Sequence, residues 1–78
     1  MSESQEQRLV REVLTELGMA RAKFLMFHNS HEGYAVIKEE VDELWDAIKT
    51  NQRLPDQRRE AIQVAAMALR FCLDLCGG

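Results

Sequence analysis

The chain has 78 residues, of which 46% are hydrophobic and 29% charged, and its net charge is −3. This composition predicts one globular domain with a thin core that self-association would extend. The acidic balance and the lack of a block of Lys and Arg argue against a general binder of nucleic-acid polymers or membrane surfaces, because such binding depends on a basic patch.

The sequence also argues against membrane insertion and secretion. No apolar run reaches the roughly 18 residues that a membrane helix needs, and the first seven residues are polar and acidic, unlike a secretory signal. Cys72 and Cys76 have no His nearby, so two buried thiols are expected instead of a zinc site. Together these features predict a protein of the reducing cytoplasm.

The chain is predicted to be all-α, because it contains one Pro and four Gly and no alternation of period two. The first of three main helices is expected to begin near Ser4, where Ser4-x-x-Gln7 is a capping-box pattern. Gly18 could end this helix or merely weaken it, and helical structure is still expected from Ala20 to Phe27. The apolar stripe of this helix comprises Val10, Val13, Leu14 and Leu17.

The second helix is expected over about residues 31–49, with Ser30 as its N-cap. Its predicted core face, at steps of four, three and four residues, comprises Ile37, Val41, Leu44 and Ile48. Beside that face runs a strip that contains Glu40, Glu43 and small residues, with Glu39 just behind it. These acids therefore border the core, where a cation or a basic partner would relieve their mutual repulsion.

The third helix is predicted to start at Leu54-Pro55-Asp56 and to extend to about Cys76. It is apolar on most sides, except for one stripe that comprises Glu60, Gln63, Met67, Arg70 and Asp74. A stripe of this kind must face solvent, a ligand or a charged partner. Asp74 is expected to pair with Arg70 at i, i+4 or across a subunit contact.

A linker of about five residues predicts that the second and third helices form an antiparallel hairpin. At 1.5 Å per residue, Glu40, Glu43, Glu60 and Gln63 all lie roughly 7 to 15 Å from the turn. If both polar strips face inward, these side chains converge with Glu39. Such an all-oxygen set suits Mg²⁺ or Mn²⁺ with a phosphate in the open positions. Solvated surface acids stay open as an alternative, and so does a helical interaction module whose acids meet basic residues of a partner.

The pattern Glu39-Glu40-x-x-Glu43, a spacer of 16 residues and Glu60 resembles the signature of the MazG-like all-α nucleoside triphosphate pyrophosphohydrolases. That signature is EE-x-x-E, a variable spacer and E-x-x-D, and the resemblance covers about residues 31–75. It implies a single MazG-like helical domain over residues 1–78 and a four-helix bundle completed as a homodimer or homotetramer. It also implies Mg²⁺-dependent hydrolysis of a (deoxy)nucleoside triphosphate to monophosphate and pyrophosphate, in house-cleaning of the nucleotide pool.

Site residues follow from the same resemblance. The implied metal ligands are Glu39, Glu40, Glu43, Glu60 and Gln63. Gln63 stands where the family has Asp, and because a carboxamide adds no charge, weaker metal binding or a nucleotide-binding member without turnover is an alternative.

One carboxylate would orient or deprotonate the attacking water, and both Glu39 and Glu43 are candidates for this catalytic role. Lys38 and Arg59 are candidates for binding the phosphates, with Arg53, Arg58 and Arg70 also available. Trp45 is a candidate for stacking on the base, although a single Trp at the edge of a core more often serves packing or an oligomer contact. No residue set in the sequence predicts which base is preferred.

Overall fold

The computed structural model describes residues 2–77 and contains three helices: α1 (Gln5–Lys23), α2 (Ser30–Lys49) and α3 (Leu54–Leu75). These residues form no strand, so the prediction of an all-α chain with three main helices is confirmed. The capping box is present, since the Ser4 side chain accepts from the Gln7 backbone while the Gln7 side chain accepts from the Ser4 backbone. The N-cap of α2 is Asn29 instead of Ser30, and its side chain accepts a 2.9 Å hydrogen bond from the Glu32 backbone.

Helix α1 is shorter than the sequence indicates. It ends at Lys23, because Phe24 adopts an extended backbone with φ −118° and ψ 151°. A non-helical connector, residues 24–29, then leads to α2. Tertiary contacts replace helical hydrogen bonds here: the Asp74 carboxylate accepts from the Phe27 backbone N–H and Arg70 donates to the Leu25 carbonyl. The expectation of helical structure up to Phe27 was therefore wrong. Local sequence patterns do not indicate hydrogen bonds to residues as distant in the chain as Arg70 and Asp74.

Helix α3 is the centre of the fold. Helices α2 and α3 pack closely as the predicted hairpin, and α1 packs on α3 but not on α2 within residues 2–77. The turn between α2 and α3 uses Asn51 at φ 56°, a left-handed conformation that Asn tolerates better than most residues. At the other end of the hairpin Gly33 lies against Phe71, where an added Cβ would come within 2.5 Å of the ring. Its lack of a side chain is what lets the two helices approach.

The core-facing side of α2 is rotated from the predicted one, although Ile37 and Leu44 of the predicted face are half-buried and Ile37 packs against the core. Gly33 and Ala47 are the buried residues of this helix, whereas Val41 and Ile48 are 44% and 41% exposed. These small residues let the backbones of α2 and α3 come together, and Val36 and Ile37 pack on the core beside them. Glu40 is seven residues from both Gly33 and Ala47, so it lies on the line of contact with α3.

The outer side of α2 is left with an exposed apolar stripe. Its members recur at seven, four and three residues and comprise Tyr34, Val41, Trp45 and Ile48. Beside Tyr34, an apolar groove is continued on α3 by Ala68, Phe71 and Cys72. Cys72 and Cys76 are free and exposed, so the prediction of buried thiols was wrong. None of the described helices has the length and apolar character needed to cross a bilayer.

Candidate functional site: an acid cluster at a cleft

Three carboxylates meet on the hairpin. Glu40 and Glu43 lie one turn apart on α2, Glu60 lies on α3, and one carboxylate oxygen from each is within 4.8 Å of the others. Because α2 and α3 run antiparallel from a short turn, residues at similar distances from that turn come level. The structure thus brings together three of the five residues that the sequence suggests as metal ligands. We call Glu40, Glu43 and Glu60 the acid cluster.

The electrostatics of the acid cluster are those of crowded like charges. The pKa of Glu40 is raised to about 7, mainly by burial and also by the negative charge of Glu43, a hydrogen bond to Glu43, and the charges of Glu60 and Glu39. Within residues 2–77 no Lys, Arg or His forms an ion pair with Glu39 or with a member of the cluster. At neutral pH the cluster therefore holds a proton or needs an external positive charge.

Glu39 and Gln63 lie beside the cluster and not in it. Glu39 is exposed and contributes to the wall of a neighbouring cleft. The Gln63 Nε2 donates a 2.8 Å hydrogen bond to Glu16 Oε2 of α1. Since an ionised carboxylate only accepts hydrogen bonds, this contact turns the amide nitrogen of Gln63 towards α1 and leaves its carbonyl oxygen for another partner.

The cleft has a volume of about 710 Å³, within the usual range for small-molecule sites. Its floor is α3, its two sides are α1 and α2, and the connector closes one end. Glu40 belongs both to the cleft and to the acid cluster, so the two adjoin. The residues that line the cleft from α1 and the connector are Ala20, Lys23, Phe24, Leu25, Met26, Phe27 and His28. Those from α2 and α3 are Glu32, Val36, Glu39, Glu40, Gln63, Met67 and Arg70.

Arg70 and Asp74 form a buried ion pair at the connector end of α3. Their side chains are 6% and 1% exposed, and Arg70 Nε lies 3.5 Å from Asp74 Oδ2, which confirms the predicted i, i+4 pair. The Arg70 guanidinium also stacks on Phe27, 3.9 Å from the ring centroid. The pair fixes the connector, and with it one wall of the cleft.

The candidate substrate-binding residues of the sequence lie outside the cleft. Lys38 forms an exposed ion pair with Asp42 at 2.9 Å, and Arg59 forms one with Asp56 at 2.8 Å. Arg59 lines a separate groove between α1 and α3. Trp45 is 56% exposed on the apolar stripe of α2. The basic side chains that do line the cleft are Lys23, His28 and Arg70.

Sequence reasoning missed the contributions of α1 and the connector. Glu16 precedes the buried Leu17, which places it at the edge of the α1 contact with α3, but helical periodicity does not say which α3 residue it meets. The run Phe24-Leu25-Met26-Phe27 looks like a core helix segment, and only the following His28-Asn29-Ser30 hinted at a break.

Comparisons with protein-family models, with curated proteins and with solved structures found no match to this chain. Function is therefore inferred from the residues and their geometry. An acid cluster beside a cleft of ligand size is an arrangement that can hold a divalent cation next to a bound small molecule.

Proposed function

We propose that this protein is a Mg²⁺-dependent nucleoside triphosphate pyrophosphohydrolase with a MazG-like site. The observation that carries the proposal is the convergence of Glu40, Glu43 and Glu60 within 4.8 Å at the edge of the cleft. Its products would be a nucleoside monophosphate and pyrophosphate, which suits house-cleaning of the nucleotide pool in the cytoplasm.

The donors of the acid cluster fit a hard cation. All are carboxylate oxygens, which Mg²⁺ and Mn²⁺ prefer. Burial and the neighbouring negative charges raise the pKa of Glu40 to about 7, and a bound cation would stabilise the ionised carboxylates against both effects. Glu40, Glu43 and Glu60 would hold Mg²⁺, with Glu39 and the carbonyl oxygen of Gln63 nearby. When bound, Mg²⁺ supplies charge neutralisation to the phosphate oxygens.

The protein side chains would position and activate the attacking water. Glu39 lies outside the group of three close carboxylates yet lines the cleft, so its carboxylate is free to accept a proton from water. Glu43 is the alternative, and its membership of the cluster makes it better suited to the cation.

Self-association belongs to the same proposal. The exposed stripe of Tyr34, Val41, Trp45 and Ile48 on α2 would be covered if two hairpins packed face to face as a four-helix bundle. Trp45 would then be a subunit contact instead of a base-stacking residue. Sedimentation of a well-folded monomer at micromolar concentration would refute a homodimer or homotetramer.

A helical interaction module is the second candidate, favoured by the lack of basic partners for Glu39 and the acid cluster within residues 2–77. In that case basic side chains of another protein would supply the positive charge. A family member that binds nucleotides without turnover is a third outcome, which would follow from Gln63.

The test is release of pyrophosphate from a panel of ribo- and deoxyribonucleoside triphosphates, with and without Mg²⁺. We expect turnover that requires Mg²⁺ and that Glu43→Gln abolishes without loss of stability, because the change relieves repulsion. Asp46→Asn is the matched control, since Asp46 lies on the same helix and pairs only with exposed Lys49. No turnover, together with no rise in melting temperature on adding Mg²⁺, would reject the enzyme.

A further inference from the structure

Arg70 lies at the end of the cleft remote from the acid cluster. It follows Glu60 by ten residues on α3, roughly 15 Å along the helix. Arg70 is 5% exposed and yet lines the cleft. A cation this deeply buried needs hydrogen-bond acceptors on all sides. The hydrogen-bond partners of Arg70 therefore show which of its nitrogens lacks an acceptor.

The guanidinium has five N–H donors, and the protein meets them unequally. Nη2 donates to the Leu25 carbonyl at 2.8 Å, and Nε lies 3.5 Å from Asp74 Oδ2. Among residues 2–77, Nη1 meets only the sulfur of Met67, at 3.8 Å, and thioether sulfur is a weak acceptor. Met67 also lines the cleft. The nitrogen that lacks an oxygen acceptor is therefore beside the cavity, and a buried donor of this kind points to a ligand.

The surroundings of Arg70 favour a neutral acceptor over a phosphate. Asp74 already balances the charge of the guanidinium, and Glu32, Glu39 and Glu40 give the cleft further negative charge. An additional phosphate at Arg70 would meet these carboxylates. The nearby apolar surface comes from the rings of Phe24 and Phe27 and from Met67, which suits a flat, uncharged ring.

We infer that Arg70 is a specificity-determining residue, whose Nη1 donates to a carbonyl oxygen on the base of a nucleotide bound in the cleft. The inference rests on the proposed function, which puts the phosphates at the acid cluster and leaves the base to reach the connector end. Because a guanidinium only donates, Nη1 aimed at the exocyclic group of a base favours a carbonyl oxygen there over an amino group. Hypoxanthine, guanine and the pyrimidines have a carbonyl oxygen, and adenine has none.

The direct test uses nucleosides without phosphate and without Mg²⁺, so that the acid cluster takes no part. Deoxyinosine and deoxyadenosine are a matched pair, with a carbonyl and an amino group at position 6. In NMR titrations of the ¹⁵N-labelled protein, we expect deoxyinosine to shift the backbone amides of residues 24–28 and the Nε–H signal of Arg70. Its dissociation constant should be about tenfold or more below that of deoxyadenosine, the usual effect of one hydrogen bond to a charged group. Equal affinities, or shifts outside the cleft, would overturn the inference.

Substitution of the pair tests Arg70 itself. Arg70→Gln combined with Asp74→Asn leaves no buried charge, and a Gln side chain can donate to N7 and accept from N6 of adenine. We expect the preference to move to deoxyadenosine, and an unchanged preference would refute a role for Arg70. If the double variant does not fold, as judged by circular dichroism, Arg70→Lys replaces it. That variant keeps the charge beside Asp74, but the Lys side chain is shorter and has no nitrogen at the position of Nη1, so discrimination between the two nucleosides should fall.

Hydrolysis separates this inference from the proposed function. Turnover of dITP and dATP with equal kcat/KM would keep the pyrophosphohydrolase and reject Arg70 as its selector. Selective binding of deoxyinosine with no turnover of any triphosphate would keep the assignment of the cleft and reject the enzyme.

Discussion

The two ends of the polar stripe on α3 treat charge in opposite ways. At the turn end, Glu60 joins Glu40 and Glu43 in a cluster of like charges, where burial and the neighbouring carboxylates raise the pKa of Glu40 to about 7. At the connector end, Arg70 and Asp74 neutralise each other and are almost completely buried. The same helix therefore carries a group with unbalanced charge and a group with balanced charge, towards the two ends of one cleft.

This difference indicates different tasks. Removal of a charge from the balanced pair exposes its partner to an apolar environment, so the pair supports the fold. Removal of a charge from the acid cluster relieves repulsion, so the cluster lowers the stability of the fold. Strongly perturbed carboxyl groups of this kind are often found at functional sites. The predictions below separate the two ends by the sign and size of these effects.

The largest effect is expected at the balanced end. Asp74→Ala leaves the Arg70 charge unpaired and the Phe27 backbone N–H without its acceptor, so the free energy of unfolding should fall by about 3 kcal/mol or more. Urea denaturation measures this. Asp46→Ala, which breaks an exposed pair with Lys49, is the control and should cost about 0.5 kcal/mol or less. Equal effects of the two changes would mean that the buried pair does not hold the connector.

Substitution in the acid cluster should have the opposite sign, and its size should depend on pH. The pKa of Glu40 is raised from 4.5 to about 7, so the folded protein holds a proton that the unfolded chain has lost. The resulting stabilisation is complete below about pH 4.5 and is lost as pH rises through about 7. Without Mg²⁺, the wild type should melt at a lower temperature at pH 8 than at pH 5.5.

Glu40→Gln should reduce the dependence of the melting temperature on pH. At pH 8 it should melt at a higher temperature than the wild type, because it removes one of the repelling charges. Mg²⁺ should raise the melting temperature of the wild type more at pH 8 than at pH 5.5, since a proton competes with the cation. A wild-type melting temperature that rises from pH 5.5 to pH 8 would contradict the proposed electrostatics. So would a melting temperature of Glu40→Gln below that of the wild type at pH 8.

The smallest effect is expected at Gln63, between the two ends. Gln63→Asp loses the donor to Glu16 and brings two acids together, which should lower stability by about 1 kcal/mol. If the side chain reaches the cation, the same change should tighten Mg²⁺ binding. Combination with Glu16→Gln should restore stability without affecting the gain in Mg²⁺ affinity, and unchanged affinity would place residue 63 away from the metal.

The sequence predicts the hairpin well because its determinants are local. The cap at Ser4, Pro55 at the start of α3, and the spacing from Glu43 to Glu60 are enough to define three helices and to bring the acids level. The face of α2 is less well predicted, because hydrophobic periodicity favours Val41 and Ile48 whereas close approach of the backbones favours Gly33 and Ala47.

The cleft could not be predicted from the sequence. Its walls require the end of α1 at Lys23, and its inner end requires Arg70 to reach the Leu25 carbonyl, a contact over 45 residues. The partner of Gln63 likewise comes from α1, at a separation of 47 residues. Contacts of this range depend on how α1 crosses α3, which is decided by packing and not by helix-forming patterns.

Binding of Mg²⁺ by the acid cluster is the central claim, and isothermal titration at pH 8 tests it most directly. The wild type and Asp46→Asn should bind Mg²⁺ with equal affinity, and Glu60→Gln should bind at least about tenfold more weakly, because it removes one of three charged ligands. Equal affinity in all three proteins, or no binding to the wild type, would contradict the account.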